Sequence, residues 1–109
     1  MIPSNTTKQE AAMLSKVNDL IEEELSRAKF IHTKWPLDII HAAAVVAEEA
    51  GELTRASLNT TYHDADCEQE CLREAVHVAA TAIRFIENYF PRAGYGGYKI
   101  EKSYSGEVK

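Results

Sequence analysis

Glycine and proline are scarce, with five and three in 109 residues, so few positions favour tight turns and long helices are the natural reading. Cysteine is scarcer still. Cys67 and Cys71 are the only two, and four residues apart in a helix they have poor geometry for a disulfide and are too few for a zinc site. Both are expected to be reduced thiols, packing locally. Basic charge is also short: 12 Lys and Arg against 17 Asp and Glu give a net charge of −5. That balance argues against a general nucleic-acid-binding surface, which needs clustered Lys and Arg. No long apolar run is present. The strongest, Ile39 to Ala47, is interrupted by His41 and is far too short to span a bilayer. The first residues, Met1 to Lys8, contain no apolar signal core. A cytoplasmic protein without membrane contact is the expectation.

What is present is a soluble, helix-forming composition, 45% hydrophobic and 27% charged. Its length suits one domain, residues 1–109, that needs further copies of itself to cover long helices. Thr7-x-x-Glu10 has the form of a capping box, and Leu14, Val17, Ile21, Leu25 and Ala28 follow at helical spacing. This predicts a first helix over about 7–28. Pro36 suits the first position of a second helix, and Asp38 its first turn, giving about 36–59. Asp64 is the candidate N-cap of a third helix over about 64–90, stopped by Pro91. The remainder, 92–109, has Gly, Tyr and Lys but no period. It is expected to be a flexible tail able to close over a ligand. The predicted fold is all-α: three long helices with an antiparallel hairpin, completed into a four-helix-bundle-like assembly by oligomerisation as a homodimer or dimer of dimers.

The second and third helices each carry an apolar and a polar side. Ile39, Ala43, Val46, Ala50 and Leu53 share one side of the second, and Leu72, Val76, Ala79, Ile83 and Ile86 one side of the third. Small residues along the second helix, including Ala42, Ala43, Ala47, Ala50 and Gly51, suit close helix packing. On the polar sides, Glu49 and Glu52 are three apart, as are Glu74 and His77, so each pair shares a helix surface. The midpoint of positions 52 and 74 is residue 63, and so is the midpoint of 49 and 77. In a hairpin folded there they stand at one height, roughly 15 to 21 Å from the turn at about 1.5 Å per residue. Three carboxylates brought together repel unless a cation neutralises them. Oxygen-rich donors favour Mg²⁺ or Mn²⁺, and the imidazole tilts the choice towards Mn²⁺. His41 shares this seam as a hydrogen-bonding residue rather than a ligand.

At these residues the chain resembles the MazG-like all-α nucleotide pyrophosphohydrolases, whose signature is Glu-x-x-Glu followed on a later helix by Glu-x-x-Asp. The first half reads Ala47-Glu-Glu-Ala-Gly-Glu-Leu53. The second, from Arg73 to Asn88, looks like a phage and bacterial subgroup, with His77 where the typical member has Asp. The resemblance covers roughly residues 33–88. It implies Mg²⁺-dependent cleavage of a nucleoside triphosphate to monophosphate and pyrophosphate, with Glu49, Glu52 and Glu74 as metal ligands and His77 in the fourth place. Glu48 is then the water-orienting candidate. Lys34 and Arg84 are candidates for phosphate, and Trp35 for stacking on the base. Two other readings compete. One is a non-catalytic helical assembly protein that binds metal and nucleotide without cleavage. The other is a di-iron carboxylate bundle, which needs two Glu-x-x-His pairs where this chain has one.

Overall fold

The computed structural model describes residues 7–62 and 67–92. They form three helices and no strand: α1, Lys8–Ile31; α2, Ile39–Tyr62; and α3, Glu68–Arg92. The expected all-α fold is therefore present. The α1 start follows from the capping box. Glu10 N–H donates to the Thr7 hydroxyl at 3.1 Å, and Thr7 N–H donates to the Glu10 carboxylate at 2.9 Å, so two otherwise unpartnered donors are satisfied.

The other boundaries shift by a few residues. α1 runs three residues past Ala28 to Ile31, ending where His32 N–H returns to the Ala28 carbonyl at 2.7 Å. α2 begins at Ile39 rather than Pro36, because Asp38 caps it. The Asp38 carboxylate accepts from His41 N–H at 2.9 Å, while its carbonyl accepts from Ala42 N–H at 2.9 Å. The same helix continues past Asn59 to Tyr62. α3 begins at Glu68, directly after Cys67, whose carbonyl accepts from Cys71 N–H. Asp64, the expected cap, lies outside the described residues, as does His63. Pro91 does not stop α3, which reaches Arg92. Proline withdraws a donor, but its own fixed φ is compatible with a helix. Of the expected tail, residues 93–109 lie outside the described residues.

α2 and α3 form the expected antiparallel hairpin. Near the turn Cys71 Sγ lies 3.7 Å from the hydroxyls of both Ser57 and Thr60. Farther along, Ala43 and Val46 share a groove with Ala82, Phe85 and Ile86. Among the described residues, the α1 backbone lies close to α3 and not to α2. It runs parallel to α3, since Glu24 meets His77 and Lys29 meets Glu87. α3 is thus the central element.

Among the described residues, those buried are Ala42, Ala56, Ala80 and Arg84. Alanines let the hairpin helices approach closely, but no large side chain among the described residues is fully buried. The helix surfaces meet differently from the sequence expectation. α2 turns the border between its two sides towards α3, burying Ala42 and Ala56 while half-burying Val46, Glu49 and Leu53. Ile39, Ala43 and Ala50 from its apolar side stay exposed. Gly51 is not explained by packing within the chain, because a Cβ there would meet nothing within 4 Å. Cys67 and Cys71 are free thiols, as expected.

Candidate metal centre

Halfway along the hairpin, α2 supplies Glu49 and α3 supplies Glu74 and His77. One donor atom of each lies within 4.8 Å of the others. His77 Nδ1 faces both carboxylates, 3.8 Å from Glu49 Oε1 and 3.5 Å from Glu74 Oε1. The Glu74 and His77 side chains retain 13% and 25% of their accessible surface. Burial raises the Glu74 carboxyl above its ordinary value. His77 pulls it down, while the adjacent Glu70 and Glu49 push it up. Carboxylates crowded in this way are relieved by a cation. Two carboxylates and one imidazole suit a divalent ion of borderline character, so the donor set fits Mn²⁺ and also accommodates Mg²⁺.

Three of the four expected ligands therefore converge. The fourth, Glu52, is exposed and ion-paired with Arg55 one turn on. Its place on the helix explains this. α2 directs Glu49 towards α3, and three residues on, Glu52 is rotated by about 60° towards solvent. Glu48 is exposed and does not line the adjoining cavity. His41 is likewise exposed, outside the donor group.

A side chain not anticipated from the sequence completes the surroundings. Glu24 of α1 places Oε2 3.4 Å from His77 Nε2, the nitrogen turned away from Glu49 and Glu74. Arg27 holds Glu24 with two hydrogen bonds, Nε to Oε1 at 2.8 Å and Nη2 to Oε2 at 2.7 Å. The bond from Arg27 lowers the Glu24 carboxyl below its ordinary value; burial opposes this, and the charges of His77 and Arg27 reinforce it. A signal was available in the sequence. Glu24 stands three residues after Ile21 and four before Ala28, within the apolar stripe of α1. Its neighbours Glu22 and Glu23 are exposed, and of the three only Glu24 is half-buried.

Beside the donor group is a cavity of about 340 Å³, lined by Glu49 and His77 and also by Lys34, Trp35 and Arg84. The three expected substrate contacts thus line one cavity. Lys34 is exposed and Trp35 half-buried, whereas Arg84 is only 7% exposed. The Arg84 guanidinium sits 5.1 Å from the centroid of the Trp35 ring. It also donates to the carbonyls of His32 at 2.8 Å and Ala28 at 3.4 Å. Arg84 thereby caps the C-terminus of α1, which has no glycine to do so. Its Nε is buried without a partner. Thr81, also lining the cavity, donates to the His77 carbonyl at 2.8 Å.

No helix among the described residues is long and apolar enough to cross a membrane. The chain matches no family model, curated protein or solved structure.

Proposed function

We propose that the protein is a divalent-metal-dependent nucleoside triphosphate pyrophosphohydrolase of the MazG-like type. The observation carrying this reading is the convergence of Glu49, Glu74 and His77 beside a cavity that also holds Lys34, Trp35 and Arg84. A nucleotide needs these three kinds of contact: a metal for its phosphates, positive charge beside them, and an aromatic face for its base. Glu49, Glu74 and His77 hold the ion. When bound, it offsets phosphate charge and activates water. Lys34, on an exposed flexible stem, reaches the phosphates. Trp35 offers its ring to the base, with the Arg84 guanidinium steadying it and adding positive charge to the cavity lining. Glu52 joins as a ligand if it exchanges Arg55 for the ion.

The homodimer or dimer of dimers belongs to this proposal. Met13, Leu20, Leu72 and Ile86 remain 45–61% exposed, and a second copy supplies the apolar surface that covers such residues. A turnover screen of nucleoside triphosphates with Mg²⁺ and Mn²⁺, following pyrophosphate and phosphate separately, tests the activity. Pyrophosphate release abolished by Glu49→Gln is expected. Metal-dependent release of phosphate alone, or no turnover by any triphosphate, overturns it. A non-catalytic nucleotide binder is the second reading, favoured by the Glu52–Arg55 pair and by the engagement of Arg84 with α1. Nucleotide-dependent thermal stabilisation without cleavage identifies that case.

A further inference from the structure

We infer that Glu24 is a positioning residue for metal binding: clamped by Arg27, it holds the proton of His77 on Nε2 and leaves Nδ1 bare to bind the ion beside Glu49 and Glu74. The inference rests on the metal site proposed above and assigns a role to α1 that neither hairpin motif contains.

A neutral imidazole has one protonated and one bare nitrogen, and only the bare one ligates. Here the two nitrogens face different surroundings. Nδ1 looks towards Glu49 and Glu74 at 3.8 and 3.5 Å, and Nε2 towards Glu24 at 3.4 Å. A bare Nε2 would set its lone pair against the Glu24 carboxylate. A protonated Nε2 donates to it instead, closing to normal hydrogen-bond length with a small rotation. Glu24 is a fixed acceptor, because both its oxygens are bound by Arg27. Its side chain is only 15% exposed, so water competes weakly for that proton. The carboxylate then orients the ring and raises the basicity of Nδ1. Glu24 does not belong to the donor group itself. It acts from the far side of the ring. The arrangement also ties the ion to α1, which has no buried residue and whose backbone lies close to α3 and not to α2.

The test uses the full chain and two metals, without nucleotide. Calorimetric titration with Mn²⁺ is expected to show Glu24→Ala binding about 10- to 100-fold more weakly than wild type. Glu24→Gln retains most of the affinity, because its amide oxygen still accepts from Nε2. In Zn²⁺-loaded wild-type protein, ¹⁵N NMR of the His77 ring is expected to show the proton on Nε2 and the metal on Nδ1. That measurement stands even if Glu24→Ala fails to fold. Metal on Nε2, unchanged affinity in Glu24→Ala, or equal losses in Glu24→Ala and Glu24→Gln overturn the inference. If affinity falls in Glu49→Gln and His77→Ala but not in folded Glu24→Ala, this inference alone fails. If wild type binds no Mn²⁺, the metal site fails with it.

Discussion

His77 is where this chain departs from the motif it resembles, and its chemistry predicts a measurable preference. Imidazole brings neither charge nor hard oxygen to an ion, so the wild-type site should favour Mn²⁺ over Mg²⁺. His77→Asp restores both and should shift affinity towards Mg²⁺, raising any Mg²⁺-dependent pyrophosphate release. Titration of both proteins with both metals checks this; identical preferences would remove His77 from the metal shell. Glu74 makes a prediction about pH. Its folded carboxyl lies above the ordinary 4.5, chiefly through burial. Such a group favours the fold fully below its unfolded pKa, and that contribution is lost as pH rises through the raised folded value. Without metal, wild type should therefore lose stability relative to Glu74→Gln on going from acidic to neutral pH, and Mn²⁺ should reverse the order. Melting curves in chelator across that range test the sign, and parallel profiles would contradict it.

α1 is held to α3 by few contacts, and Arg84 is the most buried of them. Replacing it with Met keeps an unbranched apolar side chain but removes the guanidinium over Trp35, leaving the His32 carbonyl without its Arg84 donor and the Ala28 carbonyl with His32 N–H alone. Loss of hydrogen bonds from a charged group costs about 1.5 to 3 kcal/mol. Arg84→Met should fall in that range and accelerate amide exchange throughout α1 more than in α2. Uniform acceleration would assign Arg84 to the hairpin instead. In α2, Gly51 has open space around its missing Cβ. Gly51→Ala should then stabilise the protein by about 0.5 to 1 kcal/mol, the helix-propensity difference. Denaturant midpoints read this directly, and a destabilised variant would mean that another surface presses on that position.

For the whole molecule, three helices of 24 or 25 residues leave Met13, Leu14, Val17 and Leu20 of α1 exposed, together with Leu72 and Ile86 of α3. Exposed apolar stripes of that extent favour self-association. Light scattering at micromolar concentration should give at least a dimer, and Leu14→Glu together with Val17→Glu should lower the mass. A stable wild-type monomer would remove oligomerisation from the proposal.

Apolar periodicity and caps were enough to specify three helices and the hairpin, because they act through nearest neighbours on one helix surface. Thr7 with Glu10 set the start of α1 for that reason. The equal spacing of Glu49 and His77 from position 63, with Glu74 one helical turn nearer, likewise brought them together. Spacing could not decide how far each helix rotates about its axis. That rotation turned Glu52 outward to Arg55 and buried Ala42 and Ala56 in place of the predicted apolar side. Nor could it decide where α1 docks. No local pattern links residues 24 and 77 or 32 and 84; packing on α3 brings Glu24 to His77 and Arg84 to the end of α1. The sequence by itself determined the elements and the register of the hairpin, since both follow from short-range repeats. Only the tertiary structure decided which side chains share the site, because that depends on helix rotation and on contacts between residues more than fifty positions apart.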